Sequence, residues 1–340
     1  MTAGLLLHNA WANAPPVSIA GVLVWIVMRS RREPLWAEAY RRLGRSKRAL
    51  GAIFVLSLCG GIVFLDSLSW QGSRVEEPKT VVDRLFDRPF ERTYSEPMGS
   101  ATVGEVTPHR LLGKHVFGTD SVGKDVFYKV LKGFRTAFAI GGLACLVAVP
   151  IAVTLGLSAG YFGGVIDDVV QYTYTVFGSI PDILLIVALV LMLGQGLSSI
   201  CLAMGLTSWV GLCRLVRGET LKHRDREYVR SARALGASHG RILVVHILPN
   251  LLPVIIISVT LLFSGLALYE TILAYLGVGV GSNFGSWGNM IDSARDELTR
   301  DPSVWWNLAF SSGALLVMVL SLNVLADALR DAIDPRLRTE

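Results

Sequence analysis

The sequence predicts an all-α fold, a polytopic transmembrane helix bundle with six core spans and an N-terminal accessory hydrophobic segment. Of the 340 residues, 52% are hydrophobic and the mean hydropathy is +0.50, values that place the chain among integral membrane proteins. Six stretches have the length of a spanning helix, which needs about 20 mostly apolar residues: 49–65, 134–157, 169–193, 197–216, 252–276 and 304–325. Each is continuously apolar, whereas the strand of a membrane barrel alternates. The basic residues gather on one side of the resulting topology, as cytoplasmic segments do. That clustering accounts for the formal net charge of +5, so no nucleic-acid partner is implied.

Residues 1–48 open the chain with an apolar run, 5–28, interrupted by Asn9, Asn13 and Pro15-Pro16. No positive charge precedes the run and no convincing cleavage site follows it, so no conventional signal peptide is expected. Two readings stand, a seventh accessory span or an interfacial or re-entrant segment. Behind it, Arg29, Arg31, Arg32, Arg41, Arg42, Arg45, Lys47 and Arg48 hold the chain in the cytoplasm. The first core span, 49–65, leads to an extracytoplasmic region, 66–133, whose middle is polar and turn-rich without periodicity.

The core, 134–328, then alternates across the bilayer. A cytoplasmic turn at 159–168 precedes the span 169–193, and an outer turn at 194–196 precedes the span 197–216. A long cytoplasmic loop, 217–250, leads to the span 252–276. The outer loop 277–303 is acidic, with Asp292, Asp296, Glu297 and Asp301 against Arg295 and Arg300. The last span, 304–325, ends in a cytoplasmic tail, 329–340. Cys59, Cys145, Cys201 and Cys213 all fall in spans and show no CxxC or Cys/His spacing. They read as packing residues rather than metal ligands or disulfides.

The long cytoplasmic loop is the most informative stretch. Between Arg214 and Arg241 it carries eight basic residues, Arg214, Arg217, Lys222, Arg224, Arg226, Arg230, Arg233 and Arg241, opposed by Glu219, Asp225 and Glu227. Asp225 is placed to cap a short helix with an apolar stripe of Tyr228, Val229, Ala232 and Leu235. Gly236 is placed to end that helix and Ser238 to start a second, which leads through Ile242, Val245 and His246 to Pro249 and Pro253. Charge alone would also suit a solvated loop beside anionic lipid headgroups.

YVRSARALGAS at 228–238 and ILPN at 247–250 resemble the "EAA" loop of the permease subunits of bacterial ABC importers. The likeness is to the C-type, second-permease branch of the oligopeptide/dipeptide/nickel family, and it covers roughly 34–338. It includes FGTDSVGKDV at 117–126, AGYFGGVIDD at 159–168, YLGVGV at 275–280, SWGNM at 286–290 and DALRDAIDPRLR at 327–338. Ser231 replaces an alanine usual in the branch, and the prolines expected just before Ser286 are missing. The resemblance implies a type I importer permease that transports peptides or similar solutes by alternating access. Tyr228, Arg230, Ala232, Arg233, Leu235, Gly236, Ala237 and Arg241 would dock on an ATPase subunit, with Ala232, Leu235, Gly236 and Ala237 inserting into its groove. Implied partners are a second homologous permease, two ATP-binding subunits or domains, an extracytoplasmic substrate-binding protein and membrane lipid. This chain would bind no cofactor, and ATP and magnesium would sit on the partner ATPases. The cargo stays open among oligopeptides, dipeptides, nickel chelates and peptide-like antibiotics.

Other motifs carry blander readings. Gly118–Asp125 approaches a phosphate-binding loop, but Asp125 stands where a magnesium-ligating hydroxyl is required. It reads as a structural turn on the outer side. His223, His239 and His246 lack ligand spacing and read as solvated or packing residues, so no metal site is expected. Glu270 in the fifth core span is read either as functional or as packing between helices. Asp182 follows Pro181, with Gln171 and Tyr172 earlier in the same span. In the outer loop, Phe284 and Trp287 suit either an interfacial turn or, by the resemblance, a contact with the binding protein or the pathway. The competing function is a secondary carrier or channel working without an ATPase, for which Pro181-Asp182 is the one midplane candidate. No catalytic constellation is present in the spans.

Overall fold

The computed structural model of the chain describes residues 3–30, 34–71, 78–104, 107–281 and 285–333. It opens with helices α1 (Ala3–Ser30), α2 (Pro34–Arg45) and α3 (Lys47–Ser67). A small hairpin follows, β1 (Ser69–Trp70) against β2 (Lys79–Thr80), then α4 (Val81–Phe86) and the long α5 (Val126–Phe162). Next come α6 (Gly164–Gly178), α7 (Asp182–Leu193), α8 (Leu197–Thr207), α9 (Trp209–Arg224), α10 (Glu227–Ala234) and α11 (His239–Arg241). A π-helical turn, Ile242–Ile247, joins α11 to α12 (Leu248–Tyr275), and α13 (Trp287–Glu297) and α14 (Trp306–Ile333) complete the order.

Among the described residues, α3, α5, α8 with α9, α11 with α12, and α14 are long and apolar enough to cross a membrane, and α6 with α7 makes a sixth, bent pair. These are the six stretches expected from hydropathy. Helix α1 runs unbroken for 28 residues through Pro15 and Pro16, and it is not among the six.

Two spans differ from their sequence outline. The stretch 169–193 is not straight, because α6 and α7 meet at 87°. Proline lacks an N–H and pushes the residue before it out of the α region, so the helix stops before Pro181. A new one starts at Asp182, and Leu184 and Leu185 donate their N–H groups to Pro181 O. Conversely, no break occurs at Pro249 or Pro253. The π-helical turn, in which Leu248 N–H donates to Leu243 O five residues back, carries the loop straight into α12. Asn250 Nδ2 donates to His246 O at 2.6 Å, satisfying a carbonyl near the prolines.

The chain divides into two compact units. The first comprises Met1–Ala139 and Glu270–Ala328. Its region 66–133, whose middle lacks periodicity in sequence, is tied by buried polar groups. His115 Nδ1 lies 2.8 Å from Asp125 and its Nε2 3.1 Å from Glu91, with all three residues buried. Asp125 also caps α5, its Oδ1 accepting from Phe127 N–H at 2.8 Å. Asp120 accepts from the N–H groups of Val122 and Lys124 and pairs with Lys129 at 2.8 Å. The phosphate-loop look-alike is therefore a carboxylate-filled turn. Phe117 within it stacks on Phe310 of α14 at 3.8 Å between ring centroids.

Asp83 shows how this layer is fastened. Thr80 and Asp83 form a reciprocal capping box at the start of α4, and Lys132 Nζ and Tyr128 Oη of α5 reach Asp83 at 2.6 and 2.7 Å. Burial pushes its carboxyl upward, but the bonds from Lys132, Thr80 N–H and Tyr128 outweigh that and hold it at about 2. A depressed carboxyl stabilises the folded state fully above its ordinary value of about 4 and ceases to as pH falls towards 2. Asp83→Asn should therefore lower the melting temperature of the solubilised protein at pH 7. The gap to wild type should narrow as pH drops below 4, and a gap independent of pH would refute this assignment.

The second unit comprises Ile140–Tyr269 and Leu329–Glu340. Its core gathers Ala152, Trp209, Val216, Val229, Ile242 and Leu251. Helices α5 and α9 approach closely at Gly156 and Gly160, where an added Cβ would sit 2.8 Å from Val216 Cβ and 2.6 Å from Thr220 Cβ. Small residues four apart let membrane helices meet backbone to backbone. Asp167 at the start of α6 pairs with Arg217 of α9 through both carboxylate oxygens.

Candidate functional site

The loop 217–250 folds as a hairpin of short helices held against the second unit's core. Asp225 does not cap α10, contrary to its sequence reading. Its backbone (φ −99°, ψ 6°) closes α9, whereas Arg226 (φ −74°, ψ 151°) has the extended conformation that an N-cap requires, without a side-chain bond. Val229 and Ala232 are buried in the core. Tyr228 Oη lies 2.7 Å from His223 Nδ1, pinning α10 to α9, and burial pushes the Tyr228 phenol's pKa up.

Gly236 ends α10 as expected. It adopts φ +81°, Ala237 N–H donates to Ala232 O and Gly236 N–H to Arg233 O, the paired bonds of a Schellman motif. Ser238 caps the next helix, accepting from Arg241 N–H at 3.4 Å. Leu235 stands at this corner 88% exposed. It leaves the apolar stripe because its backbone (φ −79°, ψ 5°) already departs from the helix.

A buried tyrosine braces the hairpin from beneath. Tyr161, near the end of α5, has its hydroxyl 2.8 Å from His239 Nδ1 and 3.4 Å from Arg233 Nη2. The Arg233 guanidinium also lies 5.5 Å from the Tyr161 ring centre. One hydroxyl thus connects α5, α10 and α11. Sequence reading passed over Tyr161, whose only signal was its place in AGYFGG.

Of the residues expected to dock, Arg230, Leu235, Gly236 and Arg241 are exposed. Ala232 is not available, because its methyl packs inside the chain's own core, and Ala237 is half-buried. Arg233 is exposed but already engaged by Tyr161.

Two further candidates, Trp287 and Glu270, are buried within the first unit. Trp287 is 2% exposed. Its Nε1–H donates to Val130 O at 3.0 Å, and its ring meets Phe134 edge-on at 4.7 Å between centroids. It anchors α13 to α5 and is no surface aromatic in this chain, because the loop 277–303 contains a helix that the sequence pattern does not reveal. Glu270 is buried and accepts from the Ser286 hydroxyl. That hydroxyl in turn caps α13 by accepting from Gly288 N–H at 3.0 Å. Phe284 lies outside the described residues.

The second unit also holds a cavity of about 620 Å³ that sequence reading did not assemble. Asp182, Arg214, Ser258 and Tyr269 bring polar groups to it, and Gly178, Gly211 and Gly265 line it. Asp182 had been singled out, whereas Arg214 had been counted only as one of the loop's charges.

Residues 152–339 match the family described as binding-protein-dependent transport system inner membrane component. The dipeptide transport system permease protein of Bacillus subtilis (strain 168) is 33% identical over 301 residues, spanning 88% of this chain and 86% of that protein. The oligopeptide transport system permease protein of Escherichia coli (strain K12) is 32% identical over 302 residues, spanning 89% and 91%. The glutathione transport system permease protein of Pectobacterium atrosepticum is 36% identical over 225 residues, spanning 66% and 74%. Among solved structures, an inward-facing methionine ABC transporter gives a TM-score of 0.47 at 19% identity, covering 60% of this chain and 94% of that one.

Sequence similarity of this extent, on a chain with up to six candidate spans, defines a multi-pass membrane permease subunit, a transport component. More narrowly, the chain belongs to the binding-protein-dependent transport inner-membrane component family, in the branch of the oligopeptide and dipeptide permeases.

Proposed function

We propose that this chain forms one half of the translocation pathway of an ATP-driven importer for peptides or similar small solutes in a bacterial cytoplasmic membrane. A second homologous permease completes the pathway, two ATP-binding subunits carry ATP and magnesium, and an extracytoplasmic binding protein delivers the cargo. The relatives named for dipeptide, oligopeptide and glutathione transport support this cargo class.

The observation that carries the coupling reading is Leu235. A large apolar side chain stands 88% exposed at a corner whose backbone is fixed by the Schellman bonds. Exposed to water this side chain contributes nothing to the fold, whereas burial in a groove on an ATPase would stabilise the contact by the apolar area it covers. ATP binding closes the ATPase pair, the hairpin moves with it, and the Tyr161 brace passes the displacement to α5. The hairpin must bind the ATPase differently in the two bundle states, because only a differential affinity shifts an equilibrium.

The test is crosslinking in native membranes from Leu235→Cys, with Cys59, Cys145, Cys201 and Cys213 replaced, and identification of the captured chain by mass. Capture of an ATP-binding subunit supports the reading. A folded protein that captures only lipid, or only itself, while moving solute without ATP would instead be a secondary carrier or channel.

A further inference from the structure

The cavity in the second unit holds two charged groups, Asp182 and Arg214, that the coupling hairpin does not use. Asp182 accepts a hydrogen bond from the Tyr269 hydroxyl at 3.3 Å. Arg214 donates to Tyr174 O at 3.4 Å, with its guanidinium 4.8 Å from the Tyr174 ring centre. Neither contact supplies an opposite charge. Ionisable groups at membrane depth are costly, and they characteristically pair with each other or serve a substrate path. A guanidinium carries five N–H donors in a rigid fork suited to a carboxylate, and one long bond to a carbonyl leaves most of that fork unengaged.

The glycines of the wall point the same way. A Cβ on Gly178 would lie 2.8 Å from Arg214 Nη2, so a side chain there would make the guanidinium shift. Gly211 and Gly265 differ, since a Cβ on either would meet nothing within 4 Å. A glycine inside a helix is about 1 kcal/mol less favourable than alanine, and no neighbour in this chain requires one at these two positions. What they preserve is open volume. At about 620 Å³ the cavity falls within the roughly 300–1,000 Å³ typical of small-ligand sites, and Val210, Leu215, Leu261 and Leu262 give it an apolar wall.

We infer that this cavity is a subsite for a zwitterionic peptide, in which Arg214 takes the C-terminal carboxylate and Asp182, oriented by Tyr269, takes the N-terminal ammonium. The apolar wall accommodates side chains without selecting among them. The inference rests on the importer reading proposed above. The competing occupant is a helix of the partner permease packed on Gly211 and Gly265.

The experiment uses the complete complex with its binding protein in proteoliposomes. It follows ATP-dependent uptake of trialanine, its C-terminal amide and its N-acetyl form. Wild type should prefer trialanine to the amide. Arg214→Gln should lower trialanine uptake at least about tenfold, as expected for loss of a hydrogen bond to a charged group, and bring it to the amide's rate. Arg214→Lys should recover part of the loss, and Asp182→Asn should erase the preference over the N-acetyl form. The ATP-binding subunits should copurify undiminished with every variant. Wild-type uptake by both charge variants, or equal proportional loss for all three peptides, overturns the subsite. Loss of the ATP-binding subunits or the second permease from the variants assigns the cavity to packing and also overturns it. If wild type itself retains no ATP-binding subunit, the importer reading fails first. A wild-type complex that retains them and imports trialanine leaves the subsite to stand or fall alone.

Discussion

Replacing Leu235 with aspartate should abolish coupled transport without unfolding the protein. The side chain is 88% exposed, and surface substitutions ordinarily change stability by less than about 0.5 kcal/mol. The variant should therefore insert and melt like wild type. In the ATPase groove the same change replaces an apolar anchor with a buried charge. Loss of an interface anchor costs about 2 kcal/mol or more, roughly thirtyfold in affinity, and the unpaired carboxylate adds to that. ATP-driven uptake should fall at least that far, together with the amount of ATP-binding subunit that copurifies. Leu235→Met should keep both. Undiminished uptake by Leu235→Asp would sink the docking assignment. Ala232→Arg is a poorer probe, since Ala232 is buried in the chain's own core and a loss there would report misfolding.

Trp287→Ala should have the opposite profile, with a large loss of stability and no particular effect on the ATPase side. The indole is buried at 2% exposure, donates to Val130 O and packs edge-on against Phe134. It also fills the space above Gly133, where any Cβ would collide with the ring. Truncating a buried tryptophan typically costs about 3–5 kcal/mol, and here it also removes the hydrogen bond to Val130 O. The variant should show a strongly lowered melting temperature and early proteolysis within 285–297. Trp287→Phe should recover part of the packing but not the hydrogen bond. Were Trp287 a surface contact for a binding protein, Trp287→Ala would melt like wild type and lose only cargo delivery.

The six spans were legible because twenty apolar residues in a row have few fates in water or lipid. Positions governed by backbone geometry were legible too, since few residues replace Gly236 at φ +81° or Ser238 as a cap. What escaped depends partly on partners remote in sequence and partly on where a helix gives up its last turn. Asp225 looked like a cap until the end of α9 took its backbone. Trp287 looked exposed because α13 is short and polar, and its burial comes from Val130, Gly133 and Phe134, some 150 positions earlier. Ala232 and Leu235 looked like one stripe, and only the turn at Leu235 separates an inward methyl from an outward isobutyl. The cavity was invisible for a related reason. Arg214 and Asp182 stand on different helices, and the glycines between them signal space only when nothing is seen to fill it.

The π-helical turn at Ile242–Ile247 sets an angular phase. An α-helix advances about 100° per residue, and a π turn takes up one residue more than an α turn over the same rise. The hairpin therefore faces about 100° away from where an unbroken α-helix of the same length would aim it relative to α12. Deleting a single residue from this segment would let it close into an α turn and leave Leu235 on nearly its present bearing, whereas deleting two would swing Leu235 by about 100°. The extra residue is thus slack that the helix stores, and the aim of the loop relative to α12 survives the loss of one residue but not of two.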